Sequence, residues 1–134
     1  MDLSTLNREL SEASPSRLIV QSFDAEKREL IVAFTIDGGP REDSALEVRF
    51  LGASIFHLPS VLHEVDVQFS LATPTQVTSL VPRCSFDPDE LSGRPGALSV
   101  VVLASSSGES FGYYVAAEDL TWSWKPCADC AFAW

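Results

Sequence analysis

The chain is poor in positive charge. Nine lysines and arginines stand against nineteen aspartates and glutamates, for a formal net charge of −10. Basic residues nowhere interleave with aromatics, so a nucleic-acid surface is disfavoured: a phosphate backbone has to be neutralised by Lys and Arg. The same field repels anionic membranes. Histidine is scarce as well. There are two, His57 and His63, and no H-x-x-x-H pair. No apolar run approaches the ~20 residues that a membrane-spanning helix needs. The chain opens with Met1-Asp2, acidic where a secretory leader is basic, and no apolar stretch follows. Three cysteines are an odd number and too few for a disulfide scaffold. These absences together predict a cytoplasmic protein with reduced thiols.

What is present reads as one mostly β domain. A length of 134 residues suits a single core and needs no metal or disulfide to sustain it. The acidity is diffuse, with −4 in residues 1–45, −3 in 46–96 and −3 in 97–134. It is a property of the domain and not of a tail. Solubility alone accounts for it; a basic protein partner is the functional alternative.

Leu3, Leu6 and Leu10 recur at helical spacing over Asp2–Glu12, with Asp2 or Ser4 to cap the start and Pro15 past the end. Ser16–Phe23 and Arg28–Ile36 then read as a hairpin around Asp24-Ala25-Glu26-Lys27. Ala45–Leu51 reads as a third strand. Gly52–Ser60 reads as a short extended piece. His63–Ala72 gives the cleanest alternation: Val65, Val67, Phe69 and Leu71 face in, while Glu64, Asp66, Gln68 and Ser70 face out. Residues 74–82 fit a loop or an edge strand. Asp87-Pro88-Asp89-Glu90 resembles the capped start of a one-turn helix.

Ala97–Trp124 holds the longest β-branched run, both tyrosines and two tryptophans. Phe111, Tyr113 and Val115 are odd-numbered, whereas Leu120, Trp122 and Trp124 are even. One regular strand would put the two sets on opposite faces, so a break is predicted at Glu118-Asp119. Trp122 and Trp124 share a face, most simply a core-facing one. The expected fold is mainly β: a single antiparallel sheet or a β-sandwich of about seven to eight strands, with one short N-terminal helix. Its organisation is a helix and connector over 1–15, a β core over 16–126 and a C-terminal tail over 127–134.

Two motifs invite chemistry. Gly108-Glu109-Ser110-Phe111-Gly112 fits G-x-S-x-G, the nucleophile elbow of α/β-hydrolases. That elbow requires strand–turn–helix and a histidine later in the chain. Phe111–Ala117 reads as a strand and both histidines come earlier, so the match is incidental and no catalytic residues are assigned. Cys127-Ala128-Asp129-Cys130 is half of a structural zinc knuckle. No second knuckle supplies the other two ligands. Zinc is therefore an alternative cofactor to none at all. The redox reading is weaker, because the pair follows Trp122, Trp124 and Pro126 and no βαβ pattern. Asp87, Asp89 and Glu90 do not fit a calcium loop, where Ser92 stands at the glycine position.

Small size, diffuse acidity, mostly β structure and the lack of a catalytic set together resemble bacterial immunity proteins in type, without a shared motif. Those proteins bind and neutralise basic toxins. The resemblance implies a non-enzymatic acidic binding protein, immunity- or adaptor-like, engaging a basic protein and neither nucleic acid nor membrane. Outward carboxylates Glu64 and Asp66, with Asp87, Asp89 and Glu90, are the candidate contacts. The alternative is a small-molecule or zinc-binding β domain using Cys127 and Cys130.

Overall fold

Two antiparallel sheets face each other across one core, to which an N-terminal helix adds Leu6 and Leu10. The computed structural model describes residues 2–15, 17–36, 44–63, 66–77, 79, 99–105 and 110–126. Helix α1 spans Leu3–Ala13. The strands are β1 (Arg17–Asp24), β2 (Glu29–Thr35), β3 (Ser44–Leu51), β4 (Ile55–His57), β5 (Val61–His63), β6 (Gln68–Leu71), β7 (Ser99–Ala104), β8 (Ser110–Ala117) and β9 (Asp119–Pro126). The first sheet runs β5-β1-β2-β3-β9 and the second β4-β8-β7-β6. No helix among the described residues is long and apolar enough to cross a membrane.

Helix α1 forms where its sequence signals place it. The Asp2 carboxylate accepts from the Thr5 N–H at 3.2 Å, a side-chain cap on an orphan donor. Ser14 ends the helix in the left-handed conformation, its N–H bonded to the Leu10 carbonyl. Leu6 and Leu10 are buried in the core.

Strands β1 and β2 form the expected hairpin. At its turn the Asp24 carboxylate accepts from the N–H groups of Glu26 and Lys27. This Asx-type turn closes through Arg28 at φ 54°. The apolar run of β2 is covered on both sides. Val32 and Phe34 face the core, while Ala33 and Thr35, pointing the other way, are also buried.

The chain then passes repeatedly between the sheets. It crosses after β3 through Gly52–Ser54 into β4, returns as β5, and reappears in the second sheet as β6, where β7 and β8 also lie. The predicted break at Glu118 is a change of sheet: β8 pairs with β7, and β9 pairs with β3 across the molecule. The single strand expected over His63–Ala72 is not formed. Strand β5 ends at His63 in one sheet, and β6 begins at Gln68 in the other. Val67 and Phe69 are buried as expected, but Leu71 is 54% exposed on an edge strand. Residues 74–77 form a helical turn. Thr73 and Gln76 cap it reciprocally, the Thr73 N–H donating to the Gln76 side chain and the Gln76 N–H to the Thr73 hydroxyl. Thr-Pro-Thr-Gln is a capping box with proline at the first helical position, so it forms neither loop nor strand.

Three phenylalanines tie the layers. Phe69 on β6 meets Phe34 at 5.9 Å and Phe50 at 6.1 Å, both edge-to-face. Each such pair adds about 0.5–1.5 kcal/mol beyond its burial. Trp122 and Trp124 share the inner face of β9, half-buried against the same core. The Trp124 indole N–H donates to Glu9 of α1 at 3.3 Å.

Candidate functional site

Of the sequence-predicted contact residues, Asp66 alone falls among the described residues. Asp66 is exposed, just before β6. Glu64, Asp87, Asp89 and Glu90 lie outside the described residues, as do Cys127, Cys130 and the segment Ala131–Trp134. Among the described residues no group of three or more His, Cys, Asp or Glu side chains could hold a metal. Ser110 opens β8, and Gly112 sits within that strand at φ 75°, where the register shifts against β7. The G-x-S-x-G match is thus part of a bulged hairpin and not an elbow before a helix. His57 is exposed on β4, its ring 5.8 Å from Tyr113 and 6.0 Å from Tyr114.

Carboxylates from segments far apart in sequence share one end of the first sheet. The register sets Asp24 beside Glu29, Glu29 beside Leu51, and Leu51 beside Asp119. Glu26 lies in the adjoining turn and Glu118 in the crossover. Asp24, Glu26, Glu118 and Asp119 are all exposed. Of the basic groups here, Arg28 donates to the Gly52 carbonyl at 3.2 Å and to the Ser54 hydroxyl. Arg49 is held between Glu29 at 2.9 Å and Glu47 at 2.8 Å. Both guanidiniums are committed to holding crossovers and strands in place. Among the described residues Lys27 is a further cation of this end.

Two aromatic rings stand beside these charges. Phe23 at the end of β1 meets Phe56 of β4 edge-to-face at 5.0 Å, one ring from each sheet. Phe23 remains 41% exposed. Phe56 is partly buried against the core, so it braces the Phe23 ring, which is left open beside Asp24.

Gly52 is why the crossovers can meet here. It turns at φ 65°, and a Cβ at this position would lie 2.5 Å from the Glu118 carboxyl. The Glu118 N–H donates to the Leu51 carbonyl at 2.9 Å, and the Ala53 N–H to the Arg28 carbonyl at 2.7 Å. Three chain segments are thereby pinned together under the acidic surface.

The sequence signal for this surface was incomplete. Asp24–Lys27 was legible as a polar turn and Glu118-Asp119 as a break. Only the sheet order, which brings β9 against β3, makes them neighbours.

Comparison of the chain with protein-family models, with curated proteins and with solved structures finds no match to any of the three.

Proposed function

We propose that the protein is a non-enzymatic acidic binding protein, immunity- or adaptor-like, that engages a basic protein partner. The observation that carries this reading is that the exposed carboxylates Asp24, Glu26, Glu118 and Asp119 share the end of the sandwich at which the Phe23 ring is exposed. The net charge of −10 supports it. The carboxylates draw in a cationic surface over distances near the Debye length, about 8 Å at physiological salt. Such steering raises association rates by about 10–10³-fold. Phe23, braced edge-to-face by Phe56, then supplies apolar contact that salt does not screen. Charges set the rate of encounter and the choice of partner, and the aromatic anchor sets residence time.

The test is capture from a native lysate on immobilised protein, at low and at high salt. The reading expects enrichment of basic proteins, released as ionic strength rises. A captured set with no basic bias and no salt sensitivity contradicts it.

A further inference from the structure

At the opposite end of the sandwich, a groove of about 250 Å³ opens between the C-terminal turn of α1 and the approach to β6. Leu10, Ser11, Ser14 and Pro15 line one wall; Asp66, Val67 and Gln68 line the other. We propose that this groove receives one cationic side chain, lysine or arginine, of the basic partner, with its stem on Leu10, Pro15 and Val67 and its charge at Asp66. The inference rests on the functional reading above and adds a second point of attachment. An eight-residue strand, β1, separates the two ends, a span of about 23 Å.

Size argues for one side chain. Clefts for small-molecule ligands run to roughly 300–1,000 Å³, and this one falls below that range. Lining chemistry argues for a cation with an aliphatic stem. Leu10 and Val67 are nearly fully buried and form an apolar floor. Among the described residues Asp66 is the one charged lining residue. The groove also borders the end of α1, where the last carbonyls carry the helix's partial negative charge. No basic residue stands in the last turn of α1 to offset that charge. Asp66 has contacts within the chain, but a carboxylate offers about four lone-pair sites and can accept more than one donor.

The wall is also built. Gln68 donates to the Ser11 hydroxyl at 3.0 Å and lies within 3.5 Å of the Asn7 carbonyl, so helix and strand are fastened across the groove floor. A side chain entering here meets a preformed surface, and little ordering opposes it.

The test uses the full chain labelled for backbone-amide NMR and three capped pentapeptides, Ac-Gly-Gly-X-Gly-Gly-amide, with lysine, arginine or norleucine at X. The lysine or the arginine peptide is expected to shift the amides of Ser14, Val67 and Gln68 saturably, and the norleucine peptide to leave them unmoved. Asp66→Asn should weaken the cationic peptides at least fivefold, and Ser11→Leu, which fills the groove without changing charge, should abolish the shifts. Equal shifts from norleucine, no saturable shift at these amides, or full binding by either variant would overturn the proposal. A silent groove alongside salt-sensitive capture of basic proteins removes this inference alone. Loss of that capture removes the functional reading beneath it.

Discussion

The Asn7 side chain binds Phe69 as a neighbouring strand would. Its amide oxygen accepts from the Phe69 N–H at 2.7 Å, and its amide nitrogen donates to the Phe69 carbonyl at 2.8 Å. Phe69 lies on β6, the last strand of its sheet, so one helical side chain satisfies the edge where a further strand would pair. Its ring meanwhile packs on Phe34 and Phe50. Residue 69 therefore joins helix, sheet edge and core.

Asn7→Ala removes both bonds and leaves the Phe69 backbone groups without them. Unsatisfied buried groups cost about 1–3 kcal/mol each, and partial access to water here puts the expected loss at ~2 kcal/mol. Chemical denaturation measures it, and faster hydrogen exchange at the Phe69 amide locates it. Unchanged exchange at Phe69 would show that the edge does not depend on Asn7.

Gly52→Ala is expected to destabilise chiefly through the backbone. The left-handed backbone penalises any Cβ by roughly 1 kcal/mol. The new methyl also displaces the exposed Glu118 carboxyl, which swings into solvent at little further cost. Gly52→Ala/Glu118→Ala should therefore be about as unstable as Gly52→Ala, and a denaturation cycle with an interaction energy above ~1 kcal/mol would show that Glu118 is held rigidly against Gly52.

Thr35 makes the opposite prediction. It is buried on β2, and its hydroxyl has no hydrogen-bond partner among the described residues. Thr35→Val keeps the shape and removes the stranded polar group. It should stabilise the protein by about 1 kcal/mol, read as a raised denaturation midpoint with unchanged slope. A loss of stability would mean that the hydroxyl is paired.

Asp2 gives a pH dependence with a definite sign. Its carboxyl is held below the ordinary value of 3.8, chiefly by the Thr5 hydroxyl, then by the Thr5 N–H and the Ser4 hydroxyl. A depressed carboxyl stabilises the folded state fully above its unfolded value and loses that contribution as pH falls through its folded value. The stability gap between wild type and Asp2→Asn should therefore be present at pH 6 and close below pH ~3.8. A gap constant over that window would contradict the assignment.

The stretches that were legible in the sequence are those whose signals are local. The leucine stripe with Asp2 and Pro15 fixed α1, and alternation fixed β2 and β3. The mismatch between Tyr113 and Trp122 located the break at Glu118. The run from His63 to Ala72 misled, because only Gln68–Leu71 of it forms β6, while Val67, buried just ahead of that strand, carries the alternation past the strand's start. Val67 and Phe69 obey the pattern; Leu71 does not, since an edge position leaves it exposed. Of the predicted contact residues Asp66 alone falls among the described residues, and it lines the groove beside α1. The acidic end was illegible for a plainer reason. Its members come from turns about ninety residues apart, and no periodicity encodes which strand lies beside which.

The central claim is that a basic partner docks on the acidic end through carboxylates and the Phe23–Phe56 anchor. The most direct measurement is association and dissociation of the captured partner with wild type, with Asp24→Asn/Glu118→Gln/Asp119→Asn and with Phe23→Ala, over a range of ionic strength. The account predicts at least a tenfold slower association for the neutralised variant at low salt, converging on wild type at high salt. It predicts at least a fivefold faster dissociation for Phe23→Ala, at every salt concentration. Association rates that are the same in wild type and the neutralised variant at low salt would contradict it.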